Sequence, residues 1–248
     1  MEGGSTKPWL VEVETQQGFE PFVLKMYNHD HLKSAQVLKE LLVASLIPQF
    51  DLKTPDCALI NISNDLVENL EDKQVQQLRN TDNNPKFATK LIHPNYPYLE
   101  AKHFSIIEMH ELGSIYAFDC LVMNADRRFG KPNLLFDNNN NINLIDHELC
   151  LRLDIPNMKF DQFINSYDYK KHLFYKKISN SRGDVADLFD TFHYFLSHLK
   201  LEKLTEVEYT LEDHGYDTDY FFRITDYLND AKNNAAKFMA LVIGSLKK

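Results

Sequence analysis

The chain has 248 residues, 44% hydrophobic and 25% charged, with 27 basic against 36 acidic side chains and a net charge of −9. That length can bury one substantial core, while the acidic balance and the lack of a dense Lys/Arg stripe argue against a nucleic-acid-binding module held by phosphate contacts. No apolar run approaches the roughly 18 residues of a membrane span and the N-terminus offers no apolar leader, so no membrane partner is expected and the expected location is the cytoplasm.

In chain order, Gly3, Gly4, Ser5 and Thr6 come first, and two glycines with two hydroxyls would let backbone amides approach phosphates. A frayed terminus accounts for the same residues, and no G-x-x-x-x-G-K-S/T loop occurs anywhere in the chain. Residues 8–13 and 22–26 read as strands, the second carrying Lys25. After a turn at residues 28–30, residues 32–47 read as a helix on which Val37, Glu40, Ala44 and Ile47 fall at helical spacing. Glu40 thus interrupts an apolar stripe. Burying it alone is expensive, whereas pairing it with Lys25 satisfies both groups and aims the ammonium at phosphate oxygens. A snorkelling lysine and a stripe-edge glutamate are the bland alternative. Residues 57–62 read as a further strand, residues 65–80 as peripheral helix, and residues 87–92 as a link between lobes whose backbone groups could meet adenine. Residues 94–97, with two prolines, mark a break.

The helix-like run 106–122 leads into Asn124-Ala-Asp-Arg-Arg-Phe-Gly-Lys-Pro-Asn133. Residues 133–136 and 142–146 are short apolar strand candidates, and the Asp/Asn run between them tolerates left-handed turn conformations. Folding that hairpin sets Asn133 beside Asp146 at its open end, with Asp146 ending the stripe begun by Ile142 and Leu144. Hard oxygen ligands of this kind suit Mg²⁺ on nucleotide phosphates. Asp126, seven positions before Asn133, is placed to accept a hydroxyl proton. Each residue alone could equally cap a turn or tether a loop; the ordered set points to a kinase catalytic core. Arg128 and Lys131 are candidates to contact phosphate, or are solvated loop charges. Residues 185–199 and 220–246 read as late helices, and the aromatic-rich stretches 160–175 and 193–195 as core and surface.

On these residues the chain resembles the HipA-like kinases, in particular the compact group with a Gly-Gly-Ser-type start, N-x-D-R…N-x-N-L-L and I-D-H. The matching elements are Gly3 to Thr6, Lys25, Glu40, Asn124-Ala-Asp-Arg127, Pro132-Asn-Leu-Leu135 and Ile145-Asp-His147. The resemblance implies an α+β, two-lobed protein-kinase-like fold, with a strand-rich N-lobe over residues 1–91 and a mainly helical C-lobe over 92–248. It implies ATP and Mg²⁺ dependence and phosphorylation of Ser or Thr in a protein substrate. Asp126 would be the catalytic base, Asn133 and Asp146 the metal ligands, and Lys25 the phosphate-binding lysine. It also implies self-silencing by phosphorylation of a loop hydroxyl, for which Ser5 and Thr6 are candidates. Departures are equally specific. Eukaryotic-type kinases carry H-R-D-x-x-x-x-N and D-F-G, whereas here Asp146 precedes His147-Glu148 and the family's frequent Asn is replaced by Lys131, which cannot ligate a metal.

Cys57, Cys120 and Cys150 are odd in number and lie in apolar contexts, which suits reduced core thiols. The ten histidines are scattered, and of them His147 alone is expected near the site, in a structural role. A pseudokinase scaffold and a small-molecule or lipid kinase are the competing classes, the lipid version disfavoured by the acidic charge.

Overall fold

Alternation along the chain sets the first sheet. In the computed structural model β1 (Trp9–Thr15) turns Trp9, Val11 and Val13 partly inward and exposes Leu10, Glu12 and Glu14. It pairs antiparallel with β2 (Gly18–Leu24), from Trp9 opposite Leu24 to Thr15 opposite Gly18. The described residues are 7–27, 33–92, 96–97, 106–151 and 159–247. Gly3, Gly4, Ser5, Thr6, the turn expected at 28–30 and the first two residues of the 94–97 break lie outside them.

α1 (Lys33–Leu46) follows, within a residue of the expected bounds at each end, and Val37, Glu40, Ala44 and Ile47 are all buried. Pro48 opens a short 3-10 turn over Ile47–Phe50, and Asp51 at φ 56° closes it. β3 (Cys57–Ile60), α2 (Asn64–Glu68) and α3 (Asp72–Arg79) come next, and neither helix carries a buried residue, as expected of a peripheral segment. β4 (Lys86–Lys90) completes a four-stranded antiparallel sheet in the order β1-β2-β4-β3. Phe22, Leu24, Met26 and Ala88 form its small core, with Trp9, Val11, Val13 and Leu78 packed on them.

One expectation is corrected at β4. Residues 87–90 are the interior of the sheet, hydrogen-bonded on both sides, and Leu91 N donates to Pro21 O at 2.9 Å. Their backbone groups are therefore committed, and any connection to the rest of the chain starts beyond Leu91. Phe87 and Ala88 are buried, which is why the segment is drawn into the sheet.

β5 (Tyr96–Pro97) leads to α4 (Ile106–Leu121), the central helix, whose residues 114–121 are all buried. A helix buried on every side over two turns must be surrounded by other elements. Close approach is achieved at Gly113, where a Cβ would stand 2.4 Å from the backbone oxygen of Leu188. β6 (Leu134–Phe136) and β7 (Ile142–Leu144) form the expected hairpin and join β5 in a second sheet. The Asp137 carboxylate accepts from Asn139 N (2.8 Å) and Asn141 N (2.9 Å), and Asn140 takes φ 59°, so the polar run is a turn. Leu144 N donates to Lys53 O at 2.8 Å and the Thr54 hydroxyl to Leu144 O at 2.9 Å, tying the hairpin to the segment after α1.

The remainder is helical: α5 (Phe160–Ser166), α6 (Tyr175–Ser179), α7 (Asp190–Ser197), α8 (Glu202–Asp213), α9 (Phe221–Asn233) and α10 (Ala235–Ser245). The helix expected over 185–199 begins as a 3-10 turn, Val185–Phe189, capped by Asp184. The one expected over 220–246 is two helices divided at Asn234, whose φ of −117° and ψ of 32° leave helical space. α1 packs on α8 and β4, and its buried face shares one core with α4, α7 and α10. Among the described residues no helix is long and apolar enough to cross a membrane.

The contact at Gly113 yields a test. Gly113→Ala gains up to about 1 kcal/mol of helix propensity, but the new methyl meets backbone and overpacking costs about 1–3 kcal/mol or more. We expect a net loss of about 2 kcal/mol in urea unfolding; an unchanged midpoint would refute the close packing.

Candidate functional site

Lys25 follows the last residue of β2, and its backbone N extends the ladder by donating to Phe87 O at 2.9 Å. The side chain reaches the Glu40 carboxylate on α1 in a close ion pair. Its ammonium also lies 2.7 Å from Asp146 Oδ1 and 4.0 Å from Glu148 Oε2. The expected Lys25–Glu40 pair therefore exists and gains a third member. Burial disfavours the Lys25 charge, but Glu40 and Asp146 outweigh it and hold its pKa above the ordinary value. Burial likewise opposes ionised Glu40, yet Lys25 and His147 bring its pKa from 4.5 down to about 2. His147 is buried; its backbone N donates to Glu40 Oε2 at 3.1 Å and its Nδ1 lies 3.6 Å from the same oxygen. It thus positions Glu40.

Asp146 differs from expectation in how it is presented. β7 ends at Leu144, and Asp146 takes φ 65°, so it leaves the period-two stripe of Ile142 and Leu144 and turns toward Lys25. Asn133 takes φ 48° at the other strand's start, with Ile145 N donating to Asn133 O at 3.1 Å. Two left-handed non-glycine residues at one hairpin mouth are locally strained, a feature that gathers at functional sites.

The loop between α4 and the hairpin is held from inside. Arg127 is fully buried and donates from Nε to Asp119 Oδ2 at 2.6 Å and from Nη1 to Pro132 O at 3.1 Å and to Asn133 O. Asp119 also takes Asn124 Nδ2 at 2.8 Å and lies 2.9 Å from His172 Nε2. Because His172 Nδ1 accepts from Phe174 N at 3.2 Å, Nε2 is the donor to Asp119. Burial raises the Asp119 pKa, but Arg127 and His172 prevail and keep it below its ordinary value. Asn124 Oδ1 in turn accepts from Asp126 N at 3.0 Å, so the network orients Asp126.

Asp126 is buried to within 8% and its Oδ2 takes Lys131 in a close ion pair and Asn133 Nδ2 at 3.2 Å. Oδ1 lies 3.9 Å from Arg128 Nε. The structure thus brings Lys25, Glu40 and Asp146 together, and Asp126 together with Asn133. Lys131 links the two sets, lying 3.9 Å from Asp146 Oδ2, and these carboxylates hold its pKa above the ordinary value against partial burial. Arg128, a candidate for the nucleotide, is 56% exposed on the side chain.

For a metal, the donor set is oxygen-rich. Glu40, Asp146 and Glu148 converge within 4.8 Å, and the buried Glu148 Oε2 has no hydrogen-bond partner. Burial and its acidic neighbours raise the Glu148 pKa. Four carboxylates here, Asp126 included, face three cations, Lys25, Lys131 and Arg128, so the cluster stays net negative and can accept a metal cation. Hard carboxylate and amide oxygens suit Mg²⁺.

Sequence reasoning missed Asp119, Arg127, His172 and Glu148. Asp119 and Arg127 carried a signal, since each polar group sits in an apolar or motif context; His172 had none, its partner being 53 positions away.

A cation borne at the end of a sheet strand, clamped by a helix glutamate and facing carboxylates that follow a second sheet's hairpin, is the plan of a protein-kinase-like fold. The chain belongs to the HipA-like kinase family, whose model matches residues 1–200. Among solved structures it is similar to the Helicobacter pylori proinflammatory kinase CtkA, at TM-score 0.53 and 12% identity, over 99% of this chain and 93% of that one. At that identity the likeness is one of fold. No curated protein matches the chain.

Glu40 gives a pH test. Its depressed value means that its stabilisation is complete above 4.5 and lost as pH falls toward about 2. The shift corresponds to about 3 kcal/mol at 1.36 kcal/mol per unit. Glu40→Gln should therefore unfold in less urea than wild type at pH 7, and the gap should narrow at pH 3. A gap constant with pH would deny Glu40 its ionised, paired state.

Proposed function

We propose that this chain is an ATP- and Mg²⁺-dependent phosphotransferase that phosphorylates a Ser or Thr hydroxyl of a protein, with residues 1–91 as N-lobe and 92–248 as C-lobe of one kinase domain in the cytoplasm. The observation that carries the reading is the Lys25 ammonium lying between Glu40 and Asp146, on the carboxylate cluster that borders Asp126. In this reading Glu40 and His147 hold Lys25 against the phosphate oxygens of ATP. Asp126, oriented through Asn124 and the Arg127 network, takes the acceptor hydroxyl proton on Oδ1 as the oxygen attacks the γ-phosphorus and the bond to the β-phosphate oxygen breaks. Asn133 and Asp146 would hold the metal, which supplies charge neutralisation on the phosphates. Gly3, Gly4, Ser5 and Thr6 would approach the phosphates, and slow autophosphorylation of Ser5 or Thr6 would oppose nucleotide binding by repulsion. The Arg128 side chain would face the phosphoryl group in transfer.

One contact favours a second reading, a nucleotide-binding scaffold: Lys131 occupies the Asp126 carboxylate. With Oδ2 held by an ammonium, Oδ1 alone is left to take a proton.

Two measurements separate them. Asp126→Asn should reduce phosphoryl transfer by a factor of at least about 100 while ATP·Mg²⁺ affinity changes little, because the base meets the acceptor. Near-normal turnover would remove Asp126 from its role. Asp146→Ala should weaken ATP binding by about tenfold with Mg²⁺ present and far less without it, read by calorimetry. Equal losses in both conditions would make Asp146 structural.

A further inference from the structure

Beside Asp126 the acidic chain carries a basic groove. Arg128, Lys170, Lys171, Lys176, Lys177 and Phe129 line a cavity of about 510 Å³, and no carboxylate is among its lining residues. This gathers 5 of the chain's 27 basic residues on one concave face of a protein with net charge −9. Phe129 stands 72% exposed in it.

The groove is built onto the candidate catalytic loop. Arg128 exchanges backbone hydrogen bonds with Lys131 (3.1 and 3.0 Å) and bridges to His172. Leu173 N donates to Arg127 O at 3.1 Å, and buried His172 contacts Asp119. The lysines therefore project from a segment fixed to the same network that orients Asp126. Lys171 meets Asp168 at 3.0 Å, but both are largely exposed, and such a pair holds little energy against a better-placed anion.

We infer that this groove binds an acidic segment of the acceptor protein, flanking the hydroxyl presented to Asp126; the inference rests on the kinase reading above. Charge complementarity selects an anionic occupant. A cavity of this size takes a few residues, and a long polyanion such as RNA would run beyond it onto a surface whose overall charge repels it. A membrane would require a broader basic patch with apolar anchors, where the groove offers Phe129 alone. Phe129 suits an apolar side chain beside the acidic ones.

The test is fluorescence anisotropy with the full chain and a labelled peptide carrying one serine among glutamates. A peptide of equal length with glutamines in place of glutamates serves as comparison. Wild type should bind the acidic peptide at least about tenfold more tightly, with affinity falling as salt rises. Lys170→Glu/Lys176→Glu should lose at least about tenfold in affinity for the acidic peptide, with ATP·Mg²⁺ binding retained. The charge-matched control Lys200→Glu/Lys203→Glu, on exposed lysines outside the groove, should lose much less. Equal binding of both peptides, equal losses in both variants, or preferential binding of single-stranded RNA or of phosphoinositide vesicles would overturn the proposal. Binding is read without turnover, so a wild type that binds as expected but transfers no phosphate would sink the kinase reading and leave the groove's specificity standing.

Discussion

A guanidinium with no exposure to water fixes the centre of this chain. The buried guanidinium charge of Arg127 requires a carboxylate and several acceptors in its surroundings. Asp119 from α4, itself in contact with His172, and the carbonyls of Pro132 and Asn133 answer that demand at Nε and Nη1, while the buried Nη2 has no hydrogen-bond partner. The consequence is topological. One buried cation joins the central helix, the loop carrying Asp126, the start of the hairpin and the segment before α6, four pieces that are separate in sequence. Removing the charge partner would leave the guanidinium stranded, so the arrangement is held as a unit.

Lys25 stands to the sheet as Arg127 stands to the loop. Its ammonium needs counter-charge from two directions, and it receives Glu40 from the helix after β2 and Asp146 from the hairpin mouth. The left-handed backbone at Asp146 and Asn133 is the cost of aiming both side chains inward from a hairpin too short to do so by alternation. Strand geometry alone would have sent Asp146 along the stripe of Ile142 and Leu144.

That contrast explains what could be read from residue order. Glu40 was legible because helical spacing put it among Val37, Ala44 and Ile47, and a buried carboxylate demands a partner. The hairpin was legible from its Asp/Asn turn, and the peripheral place of residues 65–80 from their charge. Of the connection expected over residues 87–92, residues 87–90 belong to the interior strand, because four or five residues carry no periodicity that separates a covered strand from a link. The break at Asn234 was hidden because the apolar pattern continues on either side of it. The basic groove was overlooked for a different reason: Lys170, Lys171, Lys176 and Lys177 are visible as letters, but their shared concave face depends on Arg128, more than forty positions earlier, arriving beside His172. Such pairings follow from tertiary structure and leave no local trace.

The two cations of the loop divide the surroundings of Asp126 in a way that bears on both substrates. Lys131 pairs with Oδ2 and leans toward Asp146, on the side of Lys25 and its carboxylates, whereas Arg128 approaches Oδ1 and lines the groove. On the proposed reading, an acceptor entering by the groove would meet the less engaged oxygen first. Under the proposed function, anionic phosphate near Asp146 would compete with Asp126 for Lys131, since the ammonium must choose between a carboxylate and a more highly charged oxyanion. Lys131 would then keep the idle Asp126 carboxylate paired and would be drawn toward Asp146 when phosphate arrives.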